Sequence, residues 1–374
     1  MAQEFWALGL MTGTALDGFV DAALLRTDGR EILELGPWGL FPYDAGLRPL
    51  LAEAVVQARA WGFNGAEPAI FAEAERAVAL AHAGAVEALL RQAGFAREAV
   101  RVLGFHGQTV LHRGAGKGVR GATRQLGDGA VLARETGIEV AFDFRSADVA
   151  AGGHGAPLAP IYHAALMRFS GLAAPAAALN LGGVANVTWW GGGEDVAAFD
   201  VGPANGPLNE WLERCGLGAF DRDGALAMQG RTNEERLAAA LAHPFFAAPY
   251  PKSLDRFDFN ADLVAGLSPA DGAATLAALV GAALARGLDL LPQRPDTVVV
   301  SGGGRKNPVL MHEIEARAGV RALPAEAAGW RGDAIEAEAF AFLAVRTLNG
   351  LPLSFPATTG APAPLPGGRL AIAS

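Results

Sequence analysis

Three aspartates stand at or near the ends of short apolar segments, a position where α/β proteins place reactive groups. Asp200 follows Val196–Phe199 in FDVGPAN, Asp143 follows Ile138–Phe142 in DFR, and Asp128 lies in LGDG. A carboxylate at the C-terminal end of a strand reaches the usual ligand-binding edge of an α/β sheet, where it can act as a general base. The same residue can instead cap the helix that follows. For each aspartate alone, capping or pairing is the commoner role, so the pattern leaves both roles open.

Two glycine-rich turns are candidate phosphate sites. GTALDG, residues 13–18, and NLGGVANVT, residues 180–188, each separate two predicted strands. Glycines expose backbone N–H groups that bind phosphate oxygens well, and Thr14 adds a hydroxyl donor. Asp17 repels phosphate, so we expect it to help hold a Mg²⁺ ion or its waters. An ordinary hairpin turn also favours Gly and Asp, so either turn alone is weak evidence.

A third glycine-rich string, SGGG at residues 301–304, follows a predicted buried strand. Its three glycines would let a flat ligand lie against the backbone, although a plain strand-to-helix turn has the same composition. The stretch lacks the pattern GxGxxG, and the chain lacks the Walker A pattern, so a nucleotide would bind here without a P-loop. Glu336 lies near the start of an apolar predicted helix and needs a partner, such as a metal-bound water. Glu338, two residues on, is predicted to be solvated.

Composition excludes several other classes of protein. The 374 residues are 51% hydrophobic and 18% charged, enough to bury a large core, and the net charge of −9 argues against nucleic-acid or anionic membrane partners. Cys215 is the single cysteine, which excludes an intrachain disulfide and a Cys-based zinc site; we predict that it is buried. The histidines show no zinc-protease spacing, and no hydrolase motif GxSxG occurs. Neither a signal peptide nor a membrane span is recognisable, so we expect a soluble cytoplasmic protein.

The order of apolar segments predicts an α/β fold in two halves. The glycine-rich AGGHGAPLAP from Ala151 marks the predicted boundary, which gives an N-terminal domain at 1–150 and a C-terminal domain at 151–374. The irregular, Pro-rich tail from about residue 350 could return to the first domain. Each half opens with strand, glycine turn and strand, which suggests an internal duplication; one large α/β domain with unrelated hairpins is the alternative. The predicted strands are Phe5–Met11, Phe19–Leu25, Val100–Phe105, Ile138–Phe142, Ala176–Leu181, Ala185–Trp190, Val196–Phe199 and Thr297–Val300, and the predicted helices are Phe71–Leu90, Gly127–Glu135, Ala273–Leu291 and Glu336–Thr347.

An ordered set of strings resembles the anhydro-N-acetylmuramic acid kinase family from about Gly9 to the C-terminus. The strings are LMTGTALDG, GFHGQTVLHR, QLGDGAVLARETG, DFRSADVAAGGHGAPLAP, LNLGGVANVT, FDVGPANGPLNEW, DRDG, PKSLDRFDF, SGGGRKNPVLM and GDAIEAEAFAFLA. The resemblance implies two actin/Hsp70/sugar-kinase (ribonuclease H-like) domains with ATP in the cleft between them. It also implies an ATP- and Mg²⁺-dependent reaction in murein recycling. In this reaction water opens the 1,6-anhydro bridge at C1, and the freed O6 receives the γ-phosphoryl group.

The resemblance also implies roles for individual residues. Asp200 would be the general base, and Glu336, with Asp17, would lie near the metal. The remaining implied positions fall into three groups: the first phosphate loop, Gly13, Thr14, Ala15, Leu16, Asp17, Gly18, Phe19 and Val20; the second phosphate turn and adenosine loop, Gly182, Gly183, Gly302, Gly303 and Gly304; and the substrate cleft, Gln108, Asp128, Arg145 and Asp148.

Several positions depart from the family pattern. Ala15 and Leu16 replace Ser and Met in the first phosphate loop, His154 replaces Gln in GGQGAP, and Asn209 stands where the family usually has an acid. These changes affect expected substrate contacts more than the implied catalytic carboxylates. Two alternatives stay open: a kinase for another anhydrosugar such as levoglucosan, and a non-catalytic ATP-binding regulator. A small-molecule sugar is the expected partner, and a homodimer is compatible with the sequence.

Overall fold

The computed structural model describes residues 3–12, 16, 18–114, 119–254 and 258–373. The chain forms two compact units, one of Met1–Phe169 together with Asp333–Ser374, and one of Ser170–Gly332. The division therefore falls later than the predicted boundary at Ala151, and the chain returns to the first unit at Asp333 instead of near residue 350. The physical reason is that the helices flanking the second unit, at 160–169 and 335–348, both pack within the first unit.

The elements of the chain are as follows. The strands are β1 (Phe5–Met11), β2 (Phe19–Thr27), β3 (Ile32–Pro42), β4 (Val100–Phe105), β5 (Gln108–Arg113), β6 (Ala122–Leu126), β7 (Val140–Phe142), β8 (Ala176–Leu181), β9 (Val184–Gly192), β10 (Asp195–Pro203), β11 (Thr297–Ser301), β12 (Arg321–Pro324), β13 (Pro352–Ser354), β14 (Leu365–Pro366) and β15 (Arg369–Ala371). The α-helices are α1 (Leu47–Trp61), α2 (Ile70–Ala93), α3 (Gly129–Thr136), α4 (Ser146–Ala150), α5 (Pro160–Phe169), α6 (Asn205–Arg214), α7 (Glu234–Leu241), α8 (Pro269–Leu288), α9 (Pro308–Ala318), α10 (Ile335–Leu348) and α11 (Pro356–Thr359).

A six-stranded mixed sheet forms the centre of the first unit, in the order β15-β7-β4-β1-β2-β3. The first three strands form an antiparallel meander, while β4 runs parallel to β1 and β7 parallel to β4. Helix α2 covers part of this sheet because its apolar side chains, such as Phe71 and Val78, bury against Leu8 and Leu24. The parallel strands therefore end at a common edge, where α/β sheets carry ligands.

The second unit repeats the same plan. Its five strands run in the order β10-β9-β8-β11-β12, with β8, β9 and β10 as an antiparallel meander and β11 and β12 parallel to β8. Apart from the edge strand β15 of the first sheet, strand order and direction thus match in the two units, as the suggested duplication requires. The predicted α/β fold with two units is confirmed.

One helix of the described residues, Pro269–Leu288 (α8), is long and apolar enough to cross a membrane by length and composition alone. Most of α8 is buried inside the second unit, where Leu279 and Ala283 pack against Phe246 and Phe259. Ser268 begins the helix by accepting a hydrogen bond from the Asp271 N–H at 3.1 Å. The helix is therefore the core helix of this unit.

Three sequence expectations need correction. The tail is not wholly irregular, because β15 pairs antiparallel with β7 and adds a strand to the first sheet. Cys215 is half-buried instead of buried, because it lies at the C-terminal end of α6, where the chain turns back toward the surface. Strand β3 and helix α1 were not predicted at all. In β3, apolar residues such as Trp38 and Leu40 stand at exposed positions, so the sequence does not show the apolar–polar alternation typical of a strand.

Candidate active site

The turn between β1 and β2 lies largely outside the described residues. Gly13, Thr14, Ala15 and Asp17 fall there, so their predicted roles stay predictions. Of its described residues, Leu16 and Gly18 have φ values of 52° and 99°, and the Gly18 carbonyl accepts the Tyr43 N–H at 3.1 Å, next to the pairing of β2 with β3. Phe19 and Val20 begin β2, which pairs with β1 from Asp21 to Thr27.

Glu336 lies in the first turn of α10, where the helix N-terminus favours negative charge. Its side chain is open to solvent, yet enough protein surrounds it to reduce its hydration, which raises the pKa of this carboxyl. The Arg145 charge opposes this rise. Glu336 is therefore a carboxylate that a cation from solution can reach.

The prediction that Glu338 is solvated is wrong. Its side chain is fully buried, and the Tyr162 hydroxyl of α5 donates a hydrogen bond to its Oε2. The physical reason is that α10 is covered on nearly all sides, so a residue 200° around the helix from Glu336 still faces protein.

Arg145 is held by two acceptors of the first unit. Its Nε and Nη2 donate to Nε2 of His106 at 3.1 and 2.9 Å, and its Nη1 donates to the Gly155 carbonyl at 2.8 Å. Burial, together with the Arg145 charge, holds the pKa of His106 well below its usual value, so its Nε2 is an acceptor and its Nδ1 donates to the Gly107 carbonyl at 2.7 Å. Burial lowers the pKa of Arg145 to about 10, and the carboxylates of Glu336 and Asp148 oppose this effect. Arg145 is therefore an oriented cation at neutral pH.

Asp148 uses both carboxylate oxygens to hold the chain around Gly155. Its Oδ2 accepts the Gly155 N–H and its Oδ1 accepts the Thr359 hydroxyl, both at 2.6 Å. Because Gly155 also provides the carbonyl that binds Arg145, the described contacts make Asp148 a support for that guanidinium.

Gln108 and Asp128, the other residues expected near the substrate, differ in their surroundings. The Gln108 side chain is buried and its Nε2 donates to the Thr109 carbonyl at 3.3 Å, while its Oε1 has no hydrogen-bond partner among the described residues. Such a buried acceptor suits a ligand group that donates a hydrogen bond. Asp128 caps α3, because its Oδ1 accepts the N–H groups of Ala130 and Val131 at 2.9 and 3.0 Å. The capping role foreseen for Asp128 is confirmed.

In the second unit, Asn205 joins the turn at Gly182 and Gly183 to the start of α6. The Asn205 side-chain amide donates to the carbonyls of Leu181 and Gly182, both at 2.9 Å, and its backbone N–H also donates to Gly182 at 2.9 Å. Because its carbonyls accept these hydrogen bonds, the turn is held in one conformation. Sequence reasoning missed Asn205, although its place at the end of DVGPAN, directly before α6, was a usable signal.

The SGGG loop packs against that same turn. Gly302 has a φ of 75° and would bring a side-chain Cβ within 2.5 Å of Asn180 Oδ1, so only glycine fits there. Gly304 is buried against Leu181, while a Cβ at Gly303 would meet open space. Arg305 fastens the loop by donating to the Gly302 carbonyl at 2.9 Å and to Glu326. The loop thus presents Gly303 on a fixed backbone, which suits a flat ligand.

Asp200 lies within β10, at the edge of the second sheet. A register shift between Asp200 and Gly202 leaves Val201 without a partner on β9, and such a bulge changes the direction of the neighbouring side chain. One carboxylate oxygen, Oδ2, accepts the Leu254 N–H at 2.8 Å. Burial raises the pKa of Asp200 from 3.8 to about 6, although the Leu254 N–H lowers it. The alternative that Asp200 caps the next helix is wrong, because its side chain binds Leu254 instead.

The described residues could hold a Mg²⁺ ion only if most of its ligands were waters and substrate phosphates, as is usual for this ion in kinases. Among residues 3–12, 16, 18–114, 119–254 and 258–373, no group of three His, Cys, Asp or Glu residues could hold a metal by itself. Mg²⁺ in kinases usually keeps several waters and binds one or two carboxylates together with substrate phosphates. A single accessible carboxylate such as Glu336 satisfies that requirement.

Comparisons of the sequence with known proteins agree on one family. Residues 5–370 match the sequence profile of a family described as "Anhydro-N-acetylmuramic acid kinase". A curated protein of that name from Rhizobium rhizogenes is 58% identical over 369 residues, covering 99% of this chain and 100% of the relative. Another from Brucella anthropi is 55% identical over 368 residues, covering 98% of this chain and 99% of the relative. A ROK hexokinase from Thermus thermophilus is a distant structural match, at 20% identity and a TM-score of 0.37, with coverage of 92% of this chain and 99% of that one.

Proposed function

Because the chain belongs to the anhydro-N-acetylmuramic acid kinase family, we propose that it converts 1,6-anhydro-N-acetylmuramic acid, ATP and water into N-acetylmuramic acid 6-phosphate and ADP. The observation that supports this most directly is the environment of Asp200, a half-buried carboxylate at a bulged edge strand whose pKa is raised to about 6. A base with a pKa just below neutral is ionised at pH 7 and still binds a proton well.

Asp200 would take a proton from the water that attacks C1 of the sugar. The new C1–O bond forms as the bond between C1 and the bridging oxygen breaks, and that oxygen becomes the free O6. The O6 then attacks the γ-phosphorus of ATP, and ADP leaves. Every oxygen of the transferred phosphoryl group comes from ATP, and the bridging oxygen comes from the sugar.

Handling of the phosphates is assigned to the glycine turns. Gly182 and Gly183, together with residues 13–20, would direct backbone N–H groups toward phosphate oxygens, and Gly302–Gly304 would face the adenosine. A bound Mg²⁺ would neutralise developing phosphate charge, with Glu336 and Asp17 as its protein carboxylates.

We assign recognition of the sugar to four polar residues of the first unit, Gln108, Asp128, Arg145 and Asp148. Arg145 is an oriented cation, which suits the carboxylate of a muramic acid, and the Gln108 Oε1 suits a hydroxyl or amide donor. Asp128 and Asp148 would act mainly through the backbone that they hold. We place the enzyme in the cytoplasm, in recycling of murein.

A coupled assay of ADP release tests the function. We expect turnover with 1,6-anhydro-N-acetylmuramic acid, and a much lower kcat/KM with levoglucosan, which carries no carboxylate. In H₂¹⁸O, the label should enter fresh product at C1 and be absent from the phosphate. Better turnover of levoglucosan would favour the other anhydrosugar kinase, while ATP binding without ADP release would favour the regulator.

A further inference from the structure

The chain between Tyr250 and Leu254 is joined to Asp200 at two points. The Asp200 N–H donates to the Lys252 carbonyl at 3.0 Å, and the Leu254 N–H donates to Asp200 Oδ2 at 2.8 Å. Because β10 is at the edge of its sheet, no strand of the described ranges lies beside the outward N–H of Asp200. This segment therefore takes the place of a strand, and it also supplies a hydrogen bond to the proposed base.

A lysine side chain anchors this segment. The Lys252 ammonium donates to the Phe245 carbonyl at 2.8 Å and lies 4.5 Å from the centre of the Phe245 ring and 5.9 Å from that of Phe199. At the other end of the segment, the Tyr250 ring stacks on the Phe199 ring, with 4.9 Å between the ring centres. A half-buried ammonium with one carbonyl and two aromatic faces is held much more firmly than a solvated lysine.

The lysine acts on Asp200 through the backbone. The pKa of Asp200 is set by burial and by the Leu254 N–H, and the Lys252 charge is not among its causes. Of the described residues around Asp200, β9 places the uncharged Asn186 opposite it, and the turn at 244–247 places Phe246 next to Gly202 of the same strand. His243, the nearest histidine along that turn, accepts the Phe245 N–H and packs on Phe259.

We propose that Lys252 is a positioning residue, whose attachment to the Phe245 carbonyl keeps the Leu254 N–H on the Asp200 carboxylate. The inference rests on the proposed function only in giving Asp200 a catalytic role. The positioning itself concerns two hydrogen bonds that exist whatever the substrate is.

The test compares Lys252→Met with Lys252→Arg in the full-length protein, after thermal unfolding has shown that each variant is folded. Met keeps the stem of the side chain and removes the ammonium, whereas Arg keeps a donor for the Phe245 carbonyl. The Asp200 carboxylate is observed by ¹³C NMR of aspartate-labelled protein and assigned by its loss in Asp200→Asn. In Lys252→Met we expect its titration midpoint to rise by roughly half a unit to one unit, because the N–H that favours the anion is no longer held. Lys252→Arg should stay close to wild type.

Arg286→Met, which removes an exposed cation from α8, is the matched control and should leave the midpoint unchanged. A rise in Lys252→Met, with an equal rise in the acid limb of kcat/KM, supports both the positioning role and the base. A rise in the NMR midpoint without a change in the kinetic profile supports the positioning role and contradicts Asp200 as the base. An unchanged midpoint in folded Lys252→Met overturns the proposal, whatever happens to activity. If Lys252→Met does not fold, Lys252→Leu, which also lacks a donor for the Phe245 carbonyl, carries the same expectations.

Discussion

Gly9 of β1 and Gly104 of β4 lie side by side in the first sheet, and the backbone of α10 crosses directly over both. A Cβ at Gly9 would overlap the Ala337 carbonyl oxygen, and a Cβ at Gly104 would overlap the Phe340 carbonyl oxygen. Two neighbouring glycines therefore allow a helix backbone to rest on the sheet itself. The start of that helix carries Glu336, so the glycine pair fixes the height of the proposed metal carboxylate above the sheet.

Gly104→Ala should lower both stability and activity. The added methyl group meets backbone atoms that cannot rotate away, and overpacking of this kind costs about 1–3 kcal/mol. Because α10 must move, Glu336 moves with it, and we expect the Mg²⁺ concentration for half-maximal activity to rise. Urea unfolding and a Mg²⁺ titration of ADP release measure the two effects.

Gly84→Ala is the control for that substitution. Gly84 is exposed within α2, and a Cβ there meets nothing within 4 Å. Alanine has a higher helix propensity than glycine, so the control should be slightly more stable than wild type, with unchanged activity. If Gly104→Ala matched this control, the close approach of α10 would have no energetic weight.

Tyr162→Phe should destabilise the protein while leaving the chemistry largely intact. The substitution removes the hydroxyl that donates to the buried Glu338 carboxylate, and the loss of such a partner costs about 1–3 kcal/mol. Equilibrium unfolding in urea should show this loss, whereas kcat at a temperature well below the transition should change less than twofold. A large fall in kcat in folded protein would instead give the Tyr162–Glu338 pair a direct part in the reaction.

The sequence predicted the elements whose apolar pattern is undisturbed. Strand β1 and strand β4 have the predicted bounds, and α2 and α10 differ by only a few residues at their ends. Glu338 was mispredicted because periodicity within one helix cannot show that α5 lies on its other side. Asn205 was missed because its partners, the carbonyls of the turn at 181–182, come close only through tertiary packing. Local pattern thus identified these four elements, while long-range hydrogen bonds had to be observed.

Arg145→Lys should weaken binding of a carboxylate-bearing sugar. Lysine keeps the charge but cannot reach His106 and the Gly155 carbonyl together, so the cation loses its orientation. We expect KM for 1,6-anhydro-N-acetylmuramic acid to rise by about tenfold or more, with a smaller effect on KM for ATP. Arg97→Lys, at an exposed ion pair with Glu87, is the control and should leave both constants unchanged. Equal increases in the two KM values would argue against a role in sugar recognition.

Asp200→Asn should lower kcat/KM by about 10²–10⁴-fold while sugar binding persists, because the amide keeps the size of the side chain but cannot accept the proton. In wild type, kcat/KM should fall as the pH drops through about 6, where Asp200 becomes protonated. The residual rate of the variant should show no such step. Asp195→Asn, at the exposed start of the same strand, should keep the wild-type rate and profile.

Asp200→Asn should also change how the stability of the protein depends on pH. At high pH, where the wild-type carboxyl is charged, the substitution should favour the folded state although it lowers activity. Folding raises the pKa of Asp200 from 3.8 to about 6, so the folded protein holds this proton more tightly than the unfolded chain does. The contribution of Asp200 to stability is therefore most favourable below pH 3.8, and it declines as the pH rises to about 6, above which the half-buried charge is fully present. Asp200→Asn lacks that charge and can still accept the Leu254 N–H, so its Tm relative to wild type should be higher at pH 8 than at pH 5. A Tm difference that is the same at both pH values would mean that folding does not perturb this carboxyl, and Asp200 would then lack the raised pKa expected of the base.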